Sequence, residues 1–275
     1  MTLPKPTPLV LTGERTAPGH TLEQYWFARH EVAYQWSVET IRRFSQETGN
    51  IDEVDDLAIV DAGCGEGYGA QLLATALRAK VVGLELDTAA AQHAQARYGD
   101  TVTVLEANLD DWPVDSDSTD IVVSMQVVEH LWNLPKFWSE AKRVLRPGGL
   151  MIITTPNRLT FSPGLGRGEK PTNPFHVEEF DMEQLATLIA DAGFAEVTCF
   201  GLHHSSELKD WESQNGDLVG LQVEAALNAE ADGTEWPESL VAKISSVTND
   251  DFEISPANPD TCADLVITAR KLLDD

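Results

Sequence analysis

Short apolar runs alternate with segments of helical periodicity along most of the chain, and this alternation constrains the fold more than any other feature. The predicted strands are Leu57–Val60, Val81–Leu84, Val102–Leu105, Asp120–Ser124, Leu150–Thr154 and Ala195–Phe200, with Asp264–Ala269 as the last. Intervening stretches such as Thr88–Tyr98 and Phe137–Leu145 predict helices. Strands and helices that alternate at this spacing are typical of a mainly parallel sheet covered on both faces. We therefore predict an α/β fold.

The 275 residues are expected to form a single domain with four parts. Residues 1–50 supply an N-terminal arm and a cap helix from Thr21 to about Phe44, and residues 51–202 form the alternating core. Residues 203–260 carry thirteen acidic and two basic residues, with helices predicted at Leu218–Ala229 and Trp236–Val247. They lack a core pattern of their own, so we interpret them as a helical lid insertion. Residues 261–275 contain the last strand.

The charge balance restricts the partners of the protein. Forty-five acidic against nineteen basic residues give a net charge of −26, which disfavours nucleic acid and anionic membranes. No apolar run has the length of a membrane span, and the N-terminal segment has prolines where a signal peptide needs an apolar helix. Three cysteines, distant in sequence, form neither a disulfide framework nor a metal-ligand pattern. We expect a cytoplasmic protein without bound metal.

The strongest motif for chemistry is the glycine-rich segment Val60-Asp-Ala-Gly-Cys-Gly-Glu-Gly-Tyr-Gly69, which follows a predicted strand and precedes a helix. Glycines at this position let the backbone contact a bound nucleoside, because ligands of open α/β sheets lie at the carboxyl ends of the strands. The dinucleotide spacing G-x-G-x-x-G is absent, which disfavours a nicotinamide-dependent oxidoreductase. The pattern present is Asp-x-Gly-x-Gly-x-Gly.

Polar residues also follow the next two predicted strands. Glu85 stands where a carboxylate can accept hydrogen bonds from both hydroxyls of a ribose. After the third strand, Asn108 or Asp110 could bond the exocyclic amine of adenine. The segment therefore predicts a nucleoside site at the carboxyl edge of the sheet.

These motifs, taken in order, resemble those of the class I S-adenosylmethionine-dependent methyltransferases. Besides the glycine loop and Glu85, the resemblance rests on Ala107-Asn108, Val127-Val-Glu-His-Leu131, Leu145-Arg-Pro-Gly-Gly149 and Thr155-Pro-Asn157. It covers roughly residues 55–200 and implies a Rossmann-like, seven-stranded sheet with one antiparallel strand, in which the last strand lies beside the sixth. S-adenosylmethionine is the cofactor that it implies.

The resemblance also implies roles for individual residues. Asp61, Gly63, Gly65 and Gly67 would surround the methionine part, and Glu85 would bind the ribose. The adenine contacts are Leu86, Asn108 and Leu109, although the family usually has Asp where Asn108 stands. Gln126 would lie near the sulfonium, with Glu129 and His130 at the start of the following helix.

A narrower resemblance concerns the acceptor. Thr12-Gly-Glu-Arg-Thr16, Tyr25-Trp-Phe-Ala-Arg-His30, Glu129-His-Leu-Trp132 and Thr172-Asn-Pro-Phe-His176 resemble actinobacterial methyltransferases linked to O-methylation of methylglucose lipopolysaccharides. This implies a hydroxyl of a saccharide or glycolipid precursor as the acceptor. The alternatives are a small quinone or phenol, and a non-catalytic module that only binds S-adenosylmethionine.

Methyl transfer to a hydroxyl requires alignment and loss of the hydroxyl proton, so a base is expected close to the sulfonium. His176 is the first candidate, His130 the second, and Glu129 the third; each histidine could instead be buried or cap a helix without titrating. Arg29, on the cap helix, could bind the methionine carboxylate or could be a surface cation. The Pro163–His176 loop, the N-terminal arm and residues 203–257 are predicted to close over the acceptor.

Overall fold

Within residues 16–48, 57–171, 173–256 and 258–273, which the computed structural model describes, eight strands form one sheet. The strands are β1 (Ala58–Ala62), β2 (Lys80–Glu85), β3 (Val102–Glu106), β4 (Thr119–Met125), β5 (Leu145–Pro156), β6 (Phe194–His204), β7 (Phe252–Ser255) and β8 (Asp264–Lys271). Their order across the sheet is β3-β2-β1-β4-β5-β8-β6-β7.

The direction of the strands confirms a mainly parallel sheet. β1 pairs in parallel with β2 and β4, β2 with β3, and β4 with β5. β8 runs antiparallel between β5 and β6, so the predicted position of the last strand beside the sixth is confirmed. The predicted number of seven strands is wrong, because β7 adds an eighth, antiparallel to β6. Two strands are therefore antiparallel instead of one.

Helices cover both faces of the sheet. The described α-helices are α1 (Gln24–Thr48), α2 (Tyr68–Leu77), α3 (Thr88–Tyr98), α4 (Leu134–Val144), α5 (Arg158–Phe161), α6 (Met182–Asp191), α7 (Ser206–Asn215), α8 (Leu218–Asp232) and α9 (Glu238–Ser246). Neighbouring residues of one strand face opposite sides, so Val60 packs with α4 and α6 while Ile59 packs with α1, α2 and α3. Both faces of the central strands are thus buried, which explains their continuous apolar runs.

The predicted insertion packs against α1 and the outer strands. A third apolar cluster joins Tyr25 and Ala28 of α1 to Leu208, Leu218 and Ile244 of α7, α8 and α9. The two helices predicted from sequence are present, while α7 and β7 were not predicted. No helix among the described residues combines the length and apolarity of a membrane span. The single domain, its four-part division and a cytoplasmic location stay predictions.

Candidate functional site

A cavity of about 340 Å³ lies at the carboxyl ends of β1 to β4, the edge of the sheet where the glycine-rich motif was expected to form a site. Most ligand-binding cavities fall in this size range or above it. Its described lining contains acidic side chains but neither lysine nor arginine. The lining residues are Thr16, His30, Tyr34, Gly63, Cys64, Gly65, Glu66, Tyr68, Glu85, Leu86, Asn108, Leu109, Met125, Gln126, Val127, His130, Leu131 and Phe175.

The glycine loop turns the chain between β1 and α2 with its backbone against the cavity. Gly63, Gly65 and Gly67 have φ values of 86°, 54° and 94°, a region that side-chain-bearing residues rarely adopt. A Cβ at Gly63 would lie 2.4 Å from a methyl carbon of Val127, across the cavity wall. Glycine is therefore required here by conformation and by space. Gly63 and Gly65 line the cavity, whereas Gly67 is the N-cap residue of α2 and is not part of the described lining.

Glu85 is the polar group that connects the glycine loop with the end of β2. Its two carboxylate oxygens accept hydrogen bonds from the backbone N–H groups of Gly65 and Asp87, each at 2.9 Å. Glu85 is almost fully buried and lines the cavity, so these two donors fix the carboxylate at its wall. Two carboxylate oxygens retain acceptor capacity for a pair of hydroxyl groups.

The predicted adenine contacts lie together on the next part of the lining. Leu86 is 66 % exposed and lines the cavity, so its apolar side chain is accessible to one face of a flat ring. Asn108 is exposed after β3, and its side-chain oxygen accepts the N–H of Asp110 at 3.0 Å. Leu109 is buried beneath them. Thus all three residues named from the sequence reach one cavity wall.

Asp61 lies at the end of β1, fully buried behind the cavity. The hydroxyl of Tyr34, on α1, donates to its two oxygens at 3.2 and 3.1 Å. Burial raises the pKa of Asp61 to about 7; the Tyr34 bond opposes the rise, and the charge of Glu85 adds to it. Tyr34 was not predicted as a site residue, although its position on the apolar face of the cap helix indicated that its side chain faces the core.

Gln126 lies where β4 ends, and its φ of 57° marks a strained backbone for a residue other than glycine. Its amide donates to the hydroxyl of Thr154 at 3.2 Å, and its side-chain oxygen accepts from Arg29 at 3.0 Å. Arg29 is buried and forms an ion pair with Asp264 at the start of β8, with an Nε to Oδ2 distance of 2.6 Å.

One of the two alternatives that the sequence left open for Arg29 is wrong, and the other is untested. Arg29 is not a surface cation, and its guanidinium lies behind the cavity lining, where it orients Gln126. Its contact with a methionine carboxylate stays a prediction.

The three predicted catalytic candidates come together beside the cavity, and we call them the Glu–His cluster (Glu129, His130 and His176). One ligand atom of each residue lies within 4.8 Å of those of the other two. His130 Nε2 is 3.9 Å from a carboxylate oxygen of Glu129, and the two imidazoles meet edge to face with centroids 5.0 Å apart. His130 lines the cavity, whereas Glu129 and His176 are buried behind it.

Four residues around the Glu–His cluster hold it in place. Glu179, buried, hydrogen-bonds His176 Nδ1 at 2.7 Å, and Asn173 contacts His176 Nε2 at 3.1 Å. The hydroxyl of Thr155 donates to Glu129 at 2.8 Å, and His130 Nδ1 lies 3.0 Å from the carbonyl oxygen of Phe175. Sequence reasoning missed Glu179, although its spacing of three residues from His176 was the available signal.

Two exposed aromatic side chains are close in sequence to the Glu–His cluster, and one of them, Phe175, lines the cavity. Trp132, two residues after His130, is 90 % exposed, and Phe175 is 55 % exposed. By contrast, no described residue of 203–256 lines the cavity. The closure of that insertion over the acceptor stays a prediction, and most of the N-terminal arm (residues 1–15) lies outside the described residues.

Comparison with known proteins agrees with this geometry. Residues 60–153 match a family model described as a methyltransferase domain. A protein of Mycolicibacterium smegmatis named a probable S-adenosylmethionine-dependent methyltransferase is 41 % identical over 96 % of this chain and 96 % of its own length. A ubiquinone biosynthesis O-methyltransferase of Mesorhizobium japonicum is 30 % identical over 45 % of this chain and 50 % of its own.

A solved structure shares the fold. The crystal structure of an S-adenosylmethionine-dependent methyltransferase from Thermotoga maritima superposes with a TM-score of 0.55 at 18 % identity. The match covers 92 % of this chain and 99 % of that one. It supports the Rossmann-like arrangement of the sheet and helices.

Proposed function

Because the chain belongs to the S-adenosylmethionine-dependent methyltransferases, we propose that it methylates a hydroxyl group of a neutral saccharide or glycolipid precursor. S-adenosylmethionine supplies a methyl group on a positively charged sulfur, which is already a good leaving group. The remaining tasks of the protein are to align the acceptor with that methyl group, exclude water and remove the hydroxyl proton.

The cavity has the features that the cofactor needs. The bare backbone of the glycine loop can approach the methionine part, with Asp61 behind it, and Glu85 can accept both ribose hydroxyls. Leu86 and Leu109 can contact the adenine, and Asn108 can bond its amine. The described part of the lining is acidic and contains neither lysine nor arginine, which favours a cofactor that carries a positive charge.

The observation that carries the proposal is the Glu–His cluster at the end of the cavity next to Gln126. His130 is the member that the acceptor can reach, while His176 and Glu129 lie immediately behind it. Since the sulfonium is expected beside Gln126, an acceptor oxygen between the two groups would meet both the methyl group and the cluster. We propose that the hydroxyl is deprotonated at this cluster.

The surface around the cluster favours a saccharide. Exposed aromatic rings such as Trp132 and Phe175 can stack on the apolar C–H face of a sugar ring while its hydroxyls stay in water. A net charge of −26, with neither lysine nor arginine among the described residues that line this cavity, disfavours nucleic acid and other polyanions as acceptors. The resemblance to enzymes of methylglucose lipopolysaccharide formation supports the same class of acceptor.

The test uses methyl-labelled S-adenosylmethionine with two panels of acceptors, neutral oligosaccharides and small phenols or quinols. We expect label in an oligosaccharide, and Trp132→Ala should raise the KM for it by about tenfold. Leu227→Ala, which changes a side chain 60 % exposed on α8, is the control and should leave the KM unchanged. Labelling of phenols alone would refute the saccharide acceptor. Cofactor binding without transfer to either panel would instead favour a binding module.

A further inference from the structure

We propose that Glu129, His130 and His176 bind a divalent cation, and that this cation holds the acceptor hydroxyl. Its role in transfer rests on the proposed function, whereas the binding of the cation does not. Two imidazole nitrogens and one carboxylate form a mixed donor set that suits Zn²⁺, Co²⁺ or Mn²⁺. The sequence shows no ligand spacing for this set, because His176 stands 46 residues after His130.

The donor atoms are close enough to share an ion. All three lie within 4.8 Å of one another, and His130 Nε2 is 3.9 Å from Glu129 Oε1. Bonds of about 2.1 Å to a common ion bring donor atoms to roughly 3 to 4 Å apart. Small side-chain rotations supply that approach, since the three residues already sit on backbone segments that contact each other. The N–H of Val177 donates to the carbonyl oxygen of Glu129 at 2.7 Å.

Each proposed ligand is held from behind by a second polar group. His176 Nδ1 faces Glu179 at 2.7 Å, His130 Nδ1 faces the carbonyl oxygen of Phe175 at 3.0 Å, and Thr155 donates to Glu129 at 2.8 Å. Both acceptors require N–H on Nδ1, which leaves the lone pair of each ring on Nε2. His130 Nε2 lies 3.9 Å from Glu129 Oε1, and His176 Nε2 lies 3.1 Å from the side-chain nitrogen of Asn173. Metal-binding histidines are held in this way, with the second nitrogen donating to a carboxylate or a carbonyl group.

Buried charge provides an independent argument for a cation. Glu129 and Glu179 are 1 % and 2 % exposed, and their described ion pairs are both with histidines. One oxygen of Glu179, Oε2, is buried with no hydrogen-bond partner among the described residues. Two desolvated carboxyl groups around two imidazoles are costly unless positive charge is placed between them. A divalent ion at the Nε2 atoms supplies that charge.

An ion bound here would face the cavity beside His130. The hydroxyl of the methyl acceptor would then occupy an open position in its coordination sphere. Coordination lowers the pKa of the hydroxyl, so its proton can pass to water. The oxygen then forms the bond to the methyl carbon while the carbon–sulfur bond breaks, and the sulfur keeps the electron pair. In this arrangement His176 acts as a ligand, and Asn173, which now contacts its Nε2, must yield that place to the ion.

The binding test is a titration of the metal-stripped full-length protein with Co²⁺, because visible d–d bands report nitrogen and oxygen ligands directly. We expect saturable binding, weakened at least a hundredfold by His176→Ala and by Glu129→Gln. Glu179→Gln, which changes only the support of His176, should weaken it by roughly tenfold to a hundredfold. The matched control is His204→Ala, since His204 also pairs with a glutamate, Glu212, but lies outside the cluster.

Two results overturn the proposal. One is the absence of Co²⁺ binding at millimolar concentration while the protein still binds S-adenosylmethionine; the other is binding that His176→Ala, Glu129→Gln and His130→Ala all retain. The activity arm compares chelator-treated protein with protein to which Zn²⁺, Co²⁺, Mn²⁺ or Mg²⁺ is returned. Activity that is lost with the chelator and restored by one of these ions supports the proposal. Full activity without metal refutes the role of the ion, and His176 is then the candidate base. Metal binding without any saccharide methylation would instead refute the proposed function alone.

Discussion

The buried carboxyl group of Asp61 should make the stability of the protein fall as the pH rises. Burial raises its pKa to about 7, against a value of ~3.9 in an unfolded chain. Between these values the folded protein retains a proton that the unfolded chain has released. Each pKa unit corresponds to about 1.4 kcal/mol, so the free energy of unfolding loses roughly 4 kcal/mol from this group as the pH rises from about 4 to 7.

Urea unfolding of the cofactor-free protein at pH 5.5 and pH 8.0 should detect about half of this loss in the free energy of unfolding, or ~2 kcal/mol. Asp61→Asn keeps the shape and still accepts from Tyr34, but it cannot ionise. The variant should therefore gain ~2 kcal/mol relative to the wild type between the two pH values. In Tyr34→Phe the free energy of unfolding should fall more over this pH interval than in the wild type, because the hydrogen bond from Tyr34 lowers the pKa of Asp61. Equal pH dependence in wild type and Asp61→Asn would refute the reasoning.

Three further predictions concern the cavity and the cluster. Glu85→Ala should weaken S-adenosylmethionine binding by roughly tenfold to a hundredfold in calorimetry through lost charged hydrogen bonds, whereas Glu106→Ala, at the paired position of β3, should not. Gly63→Ala should lower the free energy of unfolding by ~1–3 kcal/mol more than Gly164→Ala. Gly164 has a similar φ, but a Cβ added there meets nothing within 4 Å. His176→Ala should reduce turnover by roughly a hundredfold with cofactor affinity unchanged; loss of that affinity would place the residue in the cofactor pocket.

The core of the fold could be predicted because its strands are buried on both faces. Ile59 and Val60 pack on opposite sides of the sheet, so the run around them is apolar throughout and easily recognised. β7 escaped prediction because four residues give too little periodicity, and only Phe252 among them is buried. This strand depends on pairing with β6, which the local sequence does not encode. Tertiary packing therefore decides the strand count at the edge of the sheet.

The functional site likewise has a part that the sequence predicts and a part that depends on tertiary packing. Glu85 and the glycine loop were predictable because each directly follows a strand, and the ends of parallel strands meet at one edge. The sequence named Glu129, His130 and His176 as separate candidates, but their meeting depends on a folded loop that docks on Glu129. Arg29 could not be placed from its helix, because its partner Asp264 lies 235 residues away.

The most direct test of the account is a crystal structure of the protein with S-adenosylhomocysteine, the product of the cofactor. We expect both ribose hydroxyls within hydrogen-bond distance of the Glu85 carboxylate, the adenine against Leu86, and the sulfur on the side of the cavity formed by Gln126 and His130. That position would leave the Glu–His cluster facing the point where the acceptor oxygen must attack. A nucleoside bound elsewhere, or a sulfur at the opposite end of the cavity from His130, would contradict the account.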